Sequence, residues 1–243
     1  MERTTNSAFR LHRLLLALRG ACRDGRPIRD ALGEVFELDP ADDLALRRKL
    51  VLLDDLFVQS QAAIAAIPGL DPPRYLRYFP AARKGLLSAR LDQDSRRYAP
   101  FQEGLSDIVL QSVEFCGLRI AEEHPELVLP PDDLAELEAR LNALFAYTAR
   151  TELDPPLRAV ALDILQALRA AVADYRIHGA RGLQESVERA VGKLTVHYLR
   201  AKKQGAPLNL DYLDRLLDLI IKAEALLAKA HVYLPALTEY LPK

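Results

Sequence analysis

The chain has 243 residues, half of them hydrophobic and 28% charged, with 33 Lys and Arg against 34 Asp and Glu. That length buries a sizeable core, and the near-neutral balance gives no global attraction to nucleic acid or to an anionic membrane. The only cysteines, Cys22 and Cys116, have no C-x-x-C spacing, which excludes a metal knuckle or a disulfide framework and points to a reducing, cytoplasmic compartment, with Cys116 in the apolar run 113–116 expected as a buried free thiol.

From Asn6 to Leu234 the apolar residues recur three and four apart, and the breaks carry Pro or Gly. This period predicts an all-α fold, a multi-helix bundle of about seven to nine helices that are mostly antiparallel neighbours. The chain reads as a single helical domain over 1–243, with a weak subdivision near the Pro-rich 125–131 segment.

A first helix is expected from Ser7 to Cys22, with Asn6 or Ser7 as its cap. Its run Leu14–Leu16 is bracketed by Arg13 and Arg19 and is too short for a signal-peptide core. No stretch approaches the roughly 20 apolar residues of a membrane span, so no membrane partner is expected. A short helix, Ile28 to Phe36, follows. Asp39-Pro40 opens a long helix to Ile67 whose inward face is expected to be Leu44, Leu52, Leu56, Ala63 and Ile67, with Leu53, Phe57 and Ile64 beside it.

Residues 71–100 are the least regular, with short helices expected at Arg74–Phe79 and Ala81–Leu91. A long helix from Phe101 to His124 comes next, through Leu105, Ile108, Val109, Ser112, Val113 and Leu118. Pro130-Pro131 and Asp154-Pro155-Pro156 open two further helices, because proline costs little where the N–H would be unpaired anyway. Gly179 marks a stop, and a helix runs from Ala180 to Lys203. The final helix, Leu208 to Leu234, is apolar over more than one stripe. That places it either centrally in the bundle or at a subunit contact, and Leu234, Leu237, Tyr240 and Leu241, apolar to the end, add to the case for a homodimer through the C-terminal helix.

Charge is laid out in blocks. Residues 122–138 hold Glu and Asp with no Lys or Arg, while residues 1–29 are rich in Arg. The segment 74–98 mixes cations with aromatics: Arg74, Tyr75, Arg77, Tyr78, Arg83, Lys84, Arg96, Arg97 and Tyr98 form the leading candidate binding patch. Arginines bind phosphates and tyrosines stack on unpaired bases, so this composition suits single-stranded nucleic acid; the alternative is a solvated, irregular connector whose tyrosines pack on the bundle and whose arginines pair with the acidic segments. The turn Gly179-Ala180-Arg181-Gly182 has the G-x-x-G spacing of a backbone clamp, but such a clamp needs a sheet and no strand is expected. Gly179 reads instead as the residue after a helix end, and Gly182 as a point of close approach. Arg176, His178 and Arg181 there form a second candidate, a small anion site.

Asp54-Asp55 lacks the third carboxylate of a helical magnesium site, since Val58 stands four positions on. The histidines form no H-x-x-x-H pair, and no phosphate loop or nucleophile elbow is present. No catalytic residue, metal or cofactor is therefore expected. The leading functional expectation is a non-enzymatic helical interaction or regulatory protein with a charged macromolecular partner, most simply another protein. The second is a nucleic-acid-associated factor using 74–98. The third is an enzyme with a pocket inside the bundle.

Overall fold

A computed structural model describes residues 4–124, 126–205 and 209–229. The described residues are all-α, apart from two extended segments of two residues each, Thr4–Thr5 and Glu126–Leu127. The helical segments outnumber those expected from the sequence, because the 71–123 stretch is more finely divided. Two compact units share the chain, one over Thr4–Pro125 and the other over Glu126–Lys243.

The first unit contains α1 (Ser7–Ala21), α2 (Ile28–Phe36), α3 (Asp43–Ala65), α4 (Pro72–Tyr75), α5 (Phe79–Leu87), α6 (Ala99–Gly104) and α7 (Asp107–Glu123). Asn6 caps α1: its side-chain oxygen accepts from the Phe9 N–H, and its amide donates to the Gly117 carbonyl of α7 at 2.8 Å. One residue thus ends a helix and ties it to a neighbour. The side chain of Asp42 caps α3 by accepting from the Ala45 N–H at 2.9 Å.

Helix α3 packs on α1, α2, α5 and α7. Its buried face is Leu46, Leu50, Leu53, Leu56, Phe57, Ser60 and Ile64. This corrects the expected inward stripe, because Leu44 is exposed and Leu52 and Ala63 are only half-buried. Phe57 decides the register: it meets Phe79 of α5 edge-on, with centroids 5.1 Å apart, and both rings are fully buried. Burying one such side chain contributes about 2 kcal/mol.

The helix expected over Phe101–His124 is broken into α6 and α7 at Gly104–Ser106. The break lies at the extended Ser106, next to a close approach of α6 to α5. A Cβ on Gly104 would lie 3.1 Å from the Ala82 carbonyl oxygen, and one on Gly85 would lie 2.1 Å from that of Pro100.

The second unit contains α8 (Pro131–Arg150), α9 (Pro155–Ala173), α10 (Tyr175–Gln204) and α11 (Leu210–Lys229). Pro131 and Pro155 occupy the first positions of α8 and α9, as their sequence predicts. Gly179 breaks α10 with φ 63° and ψ −158°, a region essentially closed to residues with a side chain. Its core gathers Leu141, Leu165, Leu168, Leu183, Leu216 and Leu227. Tyr212 and Thr148 share a buried hydrogen bond of 2.6 Å, which satisfies both hydroxyls inside the apolar core.

Substitution at Gly85 tests the close approach of α5 and α6. Gly85→Ala is expected to cost about 1–3 kcal/mol, whereas Gly20→Ala, in open space on α1, is expected to raise stability by about 0.5 kcal/mol. Urea unfolding followed by circular dichroism reads both, and equal midpoints for the two variants would contradict the packing.

Candidate functional site

Two prolines start α4 and leave it one turn long. A helix end carries carbonyls without an intrahelical partner. Here the Tyr75 carbonyl accepts from the Ser112 hydroxyl of α7 at 2.9 Å, with the Cys116 thiol 3.8 Å away. That bond seats the short turn on the longer helix and creates a cleft of about 430 Å³. One wall is Arg74, Tyr75 and Tyr78. The other is Ile108, Gln111, Ser112 and Phe115, which lie three and four apart on one face of α7.

The α7 wall is unusual for its exposure. Phe115 is 62% exposed and Ile108 48%, and Leu118 extends the apolar strip. The sequence places Ile108 and Leu118 among the core positions of its helix, and the structure corrects this: Val109, Leu110, Val113, Cys116 and Ile120 are the buried ones. On the opposite wall the Arg77 guanidinium lies over the Tyr78 ring, 5.6 Å from its centroid.

The other residues of the 74–98 patch have separate partners. Arg83 makes a bidentate contact with Asp54 of α3, at 2.5 and 2.9 Å, and also reaches Gln61 at 3.3 Å. The hydrogen bond that Arg83 donates to Asp54 raises the Arg83 pKa above its ordinary value. Asp54 is thereby a structural ion-pair partner. Arg96 donates through Nε to the Cys22 carbonyl at 3.0 Å. Arg97 lies 3.6 Å from Asp94. Burial opposes ionisation of Asp94, but the N–H groups of Arg96, Gly25 and Arg97 outweigh it and hold the carboxyl below its usual range. Tyr98 donates to the Ser88 carbonyl at 3.2 Å, and Lys84 is exposed on α5. Arg74, Tyr75 and Tyr78 therefore line one cleft, while Arg83 ties α5 to α3 and Arg96 ties its loop to the end of α1.

At the second candidate, Arg181 pairs with Glu185 one turn on, at 3.0 Å. His178 is half-buried, and Gly182 lies so close that a Cβ there would sit 2.3 Å from the His178 Cβ. Arg176 is exposed. Gly182 thus serves packing within the kink.

A second cleft, absent from the sequence reading, lies between α8 and α11. It measures about 460 Å³ and is lined by Arg140, Leu144, Tyr147, Arg215 and Asp218, among others. Its cations are matched locally. Arg140 bonds Glu136, which also pairs with Lys222, and Arg215 stacks over Tyr147 at 5.1 Å. The Lys222 and Arg140 contacts hold the Glu136 carboxyl below its ordinary pKa. Among the described residues no cluster of His, Cys, Asp and Glu suits a metal ion, and no helix is long and apolar enough to cross a membrane.

Both thiols are buried, and burial pushes the Cys116 pKa up to about 12 and that of Cys22 above its ordinary value. A thiol reagent such as Ellman's at about pH 8 should therefore label neither cysteine in the native protein and both after denaturation. Rapid native labelling of Cys116 would contradict the seating of α4 on α7. No family model, curated protein or solved structure matches this chain.

Proposed function

We propose that this protein is a non-enzymatic helical interaction protein whose α4–α7 cleft takes a short amphipathic helix from an acidic protein partner. The exposed Phe115, flanked by Ile108 and faced by Arg74, carries this reading. Covering an exposed aromatic side chain contributes about 2 kcal/mol, and a helix in a groove reaches such anchors at three- and four-residue spacing. The charge of Arg74 and Arg77 favours carboxylates on the flanks of the bound helix. The cleft also suits binding better than chemistry. Ser112 commits its hydroxyl proton to the Tyr75 carbonyl, and no histidine or carboxylate stands among the described residues lining it. Two buried free thiols fit a cytoplasmic protein.

Single-stranded nucleic acid is the competing occupant, since Tyr75 and Tyr78 present rings beside Arg74. The protein reading is favoured because Arg83 and Arg96 are engaged within the fold, which takes two cations from the track a phosphate backbone needs.

Fluorescence anisotropy with labelled helical peptides and an oligo-dT strand separates the two. A peptide with apolar residues three and four apart and glutamates on its flanks should bind at least about 10-fold tighter than its lysine counterpart. Phe115→Asp should weaken that binding by about 10-fold or more while leaving the circular dichroism melt unchanged. Equal affinity for the two peptides, or binding indifferent to Phe115→Asp, would overturn the proposal. Retention of oligo-dT that is lost in Arg74→Glu would establish the nucleic-acid reading in its place.

A further inference from the structure

Helix α3 is apolar on two sides. Its inner face fills the core, while Leu44 (62% exposed), Val51 (55%) and Val58 (46%) stand outward. These three are seven residues apart. Seven helical residues fall about 20° short of two full turns, so the three side chains form a narrow seam like that of a coiled coil. The seam extends over about 21 Å of helix. Its length and spacing suit another helix.

The charges beside the seam identify which helix. Arg47 and Arg48 stand four and three residues before Val51, and Asp54 and Asp55 stand three and four residues after it. The sign of the charge inverts about Val51. A parallel copy would set arginine against arginine and aspartate against aspartate. An antiparallel copy, related by a two-fold axis at Val51, brings Leu44 against Val58 of the second copy and Val51 against Val51. On the flanks, Arg48 then lies beside Asp55 of the second copy, and Arg47 beside Asp54. Asp54 already holds Arg83, so Arg48 and Asp55, both exposed, form the main cross-pair.

We propose that α3 is a self-association surface, pairing antiparallel with α3 of a second copy of this chain about a two-fold axis through Val51. Such a contact is isologous and closes at two copies. A single helix pair falls at the low end of specific interface sizes, which corresponds to a micromolar rather than a nanomolar dimer. This surface differs from the C-terminal helix on which the sequence places a dimer contact. Within the second unit α11 buries most of its apolar residues, leaving Leu210 and Ile221 exposed, and Leu234, Leu237, Tyr240 and Leu241 lie outside the described residues.

Sedimentation velocity on the full chain from about 2 to about 200 µM tests the proposal. The mass should rise with concentration from 27.2 kDa to twice that value and stop there. Val51→Glu, at an exposed position, should weaken the dimer by about 100-fold, because it sets two carboxylates face to face. Arg48→Glu should weaken it by about 10-fold, and Arg48→Glu with Asp55→Arg should restore it, since the exchange keeps the pairs complementary. Under oxidised glutathione, Val51→Cys should form a disulfide-linked dimer, because the axis brings the two thiols together. A monomer at the highest concentration, growth beyond two copies, a dimer indifferent to Val51→Glu, or a double exchange that fails to restore association would each overturn it.

Discussion

The unit over Thr4–Pro125 depends on which side of α3 faces inward. Leu53, Leu56 and Phe57 are fully buried against the surrounding helices, and Phe57 locks the rotation through its edge-on contact with Phe79. Once that rotation is set, everything else on the helix has a fixed direction. Asp54 reaches Arg83 of α5, Ser60 reaches Ser7 of α1 at 3.2 Å, and Leu44, Val51 and Val58 are left outward. A rotation of one residue would place Asp54 or Asp55 in the core without a partner, at a cost of several kcal/mol.

A related economy governs the α4–α7 region. The chain does not continue one helix from Phe101 to His124: α6 lies close on α5 at Gly85 and Gly104, and the extended Ser106 separates it from α7. The restart at Asp107 sets the phase of α7, with Val113 and Cys116 inward and Ile108 and Phe115 outward. The short turn of α4, held by Ser112, covers only part of that outer face. The candidate cleft follows from the restart that sets the phase of α7 and from the side-chain hydrogen bond that seats α4 on it.

Much of the architecture is legible in the sequence. Prolines mark the starts of α8 and α9, Asn6 caps α1, and Gly179 takes the positive φ value expected after a helix end. These features act locally, through one or two residues, so a sequence shows them directly. The rotation of α3 is different. Leu50, Val51, Leu52 and Leu53 are consecutive and point all round the helix, so periodicity does not select a face. The selection comes from Phe79, far along the chain, which no local pattern reveals. The same holds for the charges. Arg83 and Arg97 belong to one basic block in the sequence, yet one pairs across 29 positions with Asp54 and the other with nearby Asp94. The aromatic and basic content of the cleft is visible in residues 74–78, whereas its apolar wall is hidden in a helix whose outward residues resemble its inward ones.

The orientation of α3 is best tested by comparing two truncations on opposite sides of the same helix. Urea unfolding of Leu53→Ala and Val51→Ala is the measurement. The buried Leu53 should cost about 2–5 kcal/mol when truncated, and the exposed Val51, measured at a concentration where the chain is monomeric, about 0.5 kcal/mol or less. Equal losses, or a larger loss at Val51, would show that the helix faces its core the other way.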